Sequence, residues 1–133
     1  MCAGVEFHYN GKKVCENRRH KISVLERISY YQNQRDEVPN QELAKALAAT
    51  QDAEGIHEIA RHLCDKNKKV RSDCLKVLYE IGYIDPELIA PYAEDFLKLL
   101  QEKNNRLVWG AMIGLATVAD RRVEAIWPWI DDV

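Results

Sequence analysis

The sequence predicts an all-α superhelix of stacked helix pairs, about three pairs with part of a fourth. Three observations predict it. Leu, Ala, Ile and Val recur at three- and four-residue spacings from about residue 18 onward. Residues suited to capping a helix stand between the apolar runs. The chain also matches itself at a displacement of 37 residues, and a period of that size holding two helices is the mark of a helical solenoid.

The elements follow in order. Val5, Phe7 and Tyr9 alternate with Glu6 and His8 ahead of Asn10-Gly11, a two-residue turn signal, so residues 1–18 read as a small hairpin or a flexible basic arm. Helices are expected near 20–34, 40–51, 53–65, 67–82, 86–101, 104–119 and 121–133. Asn40, Asp52, Asn67, Asp85 and Asn104 suit the N-cap, where a side-chain oxygen accepts from an otherwise unpaired backbone N–H. Pro86 suits the first helical position and Gly82 a helix end. Residues 19–133 then form one repeat domain, with repeats near 20–51, 53–82 and 86–119 and a partial one at 121–133.

The 37-residue match runs without a gap. Ile59 to Asn67 falls on Phe96 to Asn104. Val70, Cys74, Leu78 and Ile81 fall on Leu107, Ala111, Leu115 and Val118, and Pro91 falls on Pro128. Asp65 at the turn, the Val70-Arg71 pair and the Leu78/Ile81 stripe resemble the HEAT-repeat family. Pro91 and Pro128 add to the likeness, about three residues early. The resemblance covers roughly residues 20–133 and implies a solenoid whose turn aspartate and arginine form a ladder between repeats. The third repeat keeps Glu102 but carries Val108 at the arginine position. Part of the last repeat has no counterpart, and the chain closes on Ile126, Trp127, Trp129 and Ile130. It is therefore expected to be a piece of a longer array, or to associate through Trp127 and Trp129.

Composition narrows the function classes. The chain has 133 residues, 30% of them charged, and a net charge of −2. That is ordinary for one globular domain and unlike a strongly basic nucleic-acid binder. The longest uncharged stretch, Leu107 to Ala119, is too short for a membrane span, which takes about 20 residues. No signal-peptide pattern stands at the start. Cysteines 2, 15, 64 and 74 form no CxxC pair and read as reduced thiols in a cytoplasmic protein, with Cys74 in the core. His57 and His62 are five apart on one helix and point apart. Cys2, His8, Cys15 and His20 fit no standard zinc spacing, so no metal and no cofactor are expected. Phosphate loop, dinucleotide fingerprint and nucleophile elbow are absent, and no catalytic residue is singled out.

Binding residues come from the wheel. In the resembling family the second helices line a concave face. With Val70 directed to the core, Ser72, Lys76 and Tyr79 project the other way, and the positions one repeat on are Trp109, Ile113 and Ala116. They read either as surface covered by further packing or as a contact patch centred on Trp109, since Trp and Tyr are frequent binding anchors. Charge is banded as well. Lys66 to Lys76 holds five basic residues and one acid, Val77 to Glu102 one basic and six acidic, and Lys103 to Arg122 is basic again. Lys66, Lys69, Arg71, Lys103 and Arg106 thus read as a solvated edge or as a basic rim for an acidic partner or a phosphate backbone.

The leading expectation is a non-catalytic scaffold that binds another protein, an acidic one if the rim is used, through its concave face and basic turn edge. Two alternatives follow from the same resemblance. One is a HEAT-like protein that binds DNA and excises alkylated bases, for which Trp109, Asp73 and Arg106 are the candidates and the overall charge is unfavourable. The other is an accessory subunit of an enzyme.

Overall fold

The computed structural model describes residues 23–122, 124 and 126, and the backbone of 8–9 and 12–13. His8–Tyr9 (β1) pairs antiparallel with Lys12–Lys13 (β2), His8 opposite Lys13. The packed body is all helical. It comprises α1 (Val38–Thr50), α2 (Ala53–Arg61), α3 (Lys68–Ile84), α4 (Ala93–Leu99) and α5 (Asn105–Val118), with single 3-10 turns at Val24–Arg27, His62–Cys64, Pro86–Leu88 and Ala90–Tyr92. Helix α3 packs against both α1 and α5, α2 against α3, and α4 against α5. Among the described residues no helix is long and apolar enough to cross a membrane.

Local chemistry accounts for the helix starts. Asp52 accepts from the Gly55 N–H at 3.0 Å to open α2. Asn67 accepts from Lys69 and Val70 to open α3, and Asn104 accepts from Arg106 and Leu107 to open α5. The two asparagines sit 37 residues apart with the same backbone shape, φ −86°, ψ 120° and φ −81°, ψ 115°. The core repeats in the same register. Ile59 and Phe96, Val70 and Leu107, Cys74 and Ala111, and Ile81 and Val118 are all fully buried.

Several expected boundaries change. The helix near 20–34 does not form. After the turn at Val24–Arg27 the chain is extended at Ile28 (ψ 161°), closes a turn from Ser29 to Gln34 and takes a left-handed conformation at Asn33 (φ 56°). Tertiary bonds explain this. The Ser29 N–H donates to Asn40 Oδ1 at 2.8 Å and the Tyr30 N–H to Asp73 Oδ2 at 2.8 Å, so neither is free for a helical partner four residues back. Asn40 is not a cap. Helix α1 starts earlier, with Asp36 accepting from the Val38 N–H at 3.1 Å and Pro39 in the first turn. Asn40 lies fully buried inside α1 and also donates through Nδ2 to Asp73 Oδ1 at 3.0 Å.

Gly82 is not a helix end either. Helix α3 continues to Ile84, and Gly82 is buried against Thr117 of α5. A Cβ at Gly110 would lie 2.6 Å from Leu75 Cδ2. The two contacts, 75 with 110 and 82 with 117, advance by the same seven residues, so α3 and α5 run parallel at close range. The expected helix 86–101 is broken into two 3-10 turns and α4. Pro91 has no N–H for a continuous ladder and its ring disfavours a helical residue before it. Of the stretch 121–133, residues 121, 122, 124 and 126 are described; there the Ile126 N–H donates to the Arg122 carbonyl at 3.1 Å and Arg122 Nη1 to the Ala90 carbonyl at 2.8 Å. Trp127, Trp129, Cys2, Cys15 and His20 lie outside them.

The turns are also tied together. Arg71 Nε donates to the Leu63 carbonyl at 2.9 Å, and its Nη2 pairs with Glu102 of the next turn at 2.9 Å. Asp65 accepts from the Asn67 N–H at 2.9 Å and lies 3.1 Å from His62 Nδ1. The Asn67 N–H first, and His62 second, hold the Asp65 carboxyl below its ordinary 3.8.

Three outcomes follow. Asn40→Ala removes one buried donor and one acceptor and leaves the Ser29 N–H and Asp73 short of a partner. It should cost about 2–4 kcal/mol in urea unfolding. Arg71→Ala should cost about 1–3 kcal/mol, and Arg71→Lys most of that, because lysine cannot reproduce the fork. Because folding lowers the Asp65 pKa, Asp65 adds stability above its unfolded value and loses it as pH falls through the folded one. Asp65→Asn should therefore be less stable than the parent at neutral pH, with the gap closing at about pH 2; an equal gap at both pH values would refute the assignment.

Candidate functional site

The segment from Ser29 to Glu37, displaced from the expected helix, forms one wall of a cavity of about 820 Å³. Helix α3 supplies a second wall through Lys69, Ser72, Asp73, Leu75, Lys76 and Tyr79. Helix α5 supplies a third through Asn105, Arg106, Trp109, Gly110 and Ile113. Both sets recur every three or four residues, which puts them on one face of each helix.

Seven of the ten residues singled out in the sequence line this cavity: Lys69, Ser72, Lys76, Tyr79, Arg106, Trp109 and Ile113. Lys66, Arg71 and Lys103 do not. Lys66 and Lys103 are exposed at the turns. Arg71 points into the turn-to-turn clamp with Leu63 and Glu102. The sequence reading missed Ser29, Tyr30, Asn33, Gln34, Arg35 and Glu37. Pro39, with the polar run before it, was the available signal that α1 begins at Val38 and that a loop precedes it.

The lining is electrostatically uneven. Lys76 Nζ bridges Glu37 at 3.1 Å and Glu80 at 2.8 Å, and sits 4.9 Å over the Tyr79 ring. Burial alone would lower its pKa; the hydrogen bonds to Glu80, Glu37 and Tyr79 outweigh burial and raise it above the ordinary lysine value. Lys76 is therefore a fixed cation with its partners in place. Asp73 is also spoken for: its oxygens take the Tyr30 N–H and the Asn40 amide. Burial raises its pKa, and those bonds and the Arg106 charge oppose the rise. Arg35, Lys69 and Arg106 are exposed, with no ion pair among the described residues.

The apolar part centres on Trp109, which is 64% exposed. Its counterpart one repeat earlier is Ser72, half-buried on the α3 wall. Next to it a second hollow of about 440 Å³ lies among Gly82, Tyr83, Ile113, Ala116 and Thr117. At the cavity edge the Ser29 hydroxyl is buried without a hydrogen-bond partner among the described residues, the residue being 3% exposed. No histidine or cysteine lines the cavity. Cys74, close by in sequence, is fully buried, and burial pushes its thiol far above the ordinary range. The arrangement offers an aromatic platform, unpaired cations and hydrogen-bonding groups, which is the equipment for binding.

Comparison with known protein families, curated proteins and solved structures finds no match to this chain.

Trp109→Ala should leave the folded chain within about 0.5 kcal/mol of the parent in urea unfolding, because an exposed side chain away from the core supports little else. Phe96→Ala, by contrast, should cost about 3–5 kcal/mol.

Proposed function

We propose that the chain is a HEAT-like solenoid of about three helical repeats that acts as a non-catalytic, cytoplasmic module and binds a partner protein through its concave face. Support for the repeat reading comes from the paired Asn67 and Asn104 caps, the common burial register and the parallel contact of α3 with α5. The Arg71–Glu102 pair resembles a rung of the inter-repeat ladder, and Val108 leaves the next rung without an arginine. The binding reading rests above all on Trp109. A large aromatic side chain is 64% exposed on the wall of a cavity rather than buried with its neighbours. Exposed aromatic anchors in a concave setting carry a large share of interface energy.

The test is capture from cell extract with the tagged full chain, comparing the parent, Trp109→Ala, and Lys98→Ala as a surface control away from the cavity. Proteins captured by the parent and the control should be lost with Trp109→Ala. At about 2 kcal/mol for an anchor the loss is roughly 30-fold. Equal capture by all three chains would reject the concave face. Salt-sensitive binding of duplex DNA in place of protein would move the reading to nucleic acid.

A further inference from the structure

We infer that the concave cavity takes an acidic peptide segment that carries an aromatic or long apolar side chain beside its carboxylates. The cations that read those carboxylates are Lys69, Arg106 and Arg35. This inference rests on the concave face being the binding surface and adds the chemistry of what binds there.

The chain as a whole has a net charge of −2, yet the cavity is lined by four cations and two acids. Both acids are engaged, Glu37 by Lys76 and Asp73 by the Tyr30 N–H and Asn40. Among the described residues only Lys76 of the four makes an ion pair. The lining keeps a net charge of +2, four cations against two acids. Lys69 and Arg106 are equivalent positions in the 37-residue register, each in the first turn of its helix, and the two helices run parallel. Their side chains therefore belong to the same end of the cavity. Cations in a first turn oppose the helix dipole and are locally unfavourable there. An anion placed there is attracted by both cations and by both helix ends.

The same layout selects the class of anion. The lining also carries two carboxylates, Glu37 and Asp73. A long polyanion such as a nucleic acid strand would pass from the cations onto these carboxylates. A short acidic cluster would not. The apolar side chain of such a peptide would lie on Trp109, next to Ile113.

The experiment measures fluorescence anisotropy of a labelled synthetic peptide, rich in Glu and Asp around a central Phe, titrated with the full chain. The expected result is saturable binding that weakens with salt. It should weaken at least 10-fold in Lys69→Glu/Arg106→Glu and in Trp109→Ala, and by less than about twofold in Lys66→Glu/Lys103→Glu, which carries the same charge change outside the cavity. Circular dichroism confirms that each variant folds. Arg35→Glu provides a further reading from the loop wall, expected to weaken binding. Three results would overturn the inference: no saturable binding of this peptide, equal loss in the Lys66/Lys103 variant, or tighter binding of a single-stranded oligothymidine. If the peptide fails while capture from extract still depends on Trp109, the peptide chemistry is wrong and the concave face stands. If both fail, the cavity is not the binding surface.

Discussion

Asp73 and Asn40 form the polar link on which the rest of the site depends. Both stand on helices that pack face to face, α3 and α1, and Asn40 has no access to water. A buried amide and a half-buried carboxylate are costly unless each oxygen and N–H is met. They meet one another, and their remaining acceptors meet the backbone N–H groups of Ser29 and Tyr30. The link therefore joins two helices and pins the segment ahead of them in a non-helical path. That pinned segment is one wall of the cavity. Without it α3 and α5 would present a shallow, open face.

A second constraint is the close approach of α3 and α5. Gly82 and Gly110 have no Cβ, and each lets the facing helix come within contact of its backbone. Close parallel helices bring Lys69 and Ser72 of one, and Arg106 and Trp109 of the other, onto the walls of one cavity. The Arg71–Glu102 pair holds the preceding turns in step. Charge is divided accordingly: Arg71 serves the scaffold, Lys76 serves the junction with α1, and Lys69 and Arg106 are exposed on the cavity walls.

The banded charge of the sequence takes on a sharper form in this setting. Lys66, Lys69, Lys103 and Arg106 look alike as a basic edge when only their spacing is known. In the folded chain Lys66 and Lys103 lie on the turns ahead of α3 and α5, whereas Lys69 and Arg106, three residues on, stand inside the helices and line the cavity. Arg35 joins the cavity from a segment distant in sequence.

Local chemistry, readable along the chain, determined the all-helical body, the caps at Asp52, Asn67 and Asn104, and the buried stripes through Val70, Cys74, Leu107 and Val118. These depend on spacings of three and four and on one side chain reaching its own backbone. The face carrying Tyr79, Trp109 and Ile113 was legible for the same reason, since a wheel places outward positions once the inward ones are known. Tertiary structure alone decided the loop at 28–37, the burial of Asn40, the continuation of α3 past Gly82 and the engagement of Arg71 and Lys76. Each turns on a partner more than twenty residues away: Asp73 for Asn40, Thr117 for Gly82, Glu102 for Arg71 and Glu37 for Lys76. Local propensity is worth tenths of a kcal/mol per residue, and satisfying a buried polar group is worth several times that. Where the two conflict, as from Ser29 to Asn33, the buried bond prevails and the helix does not form.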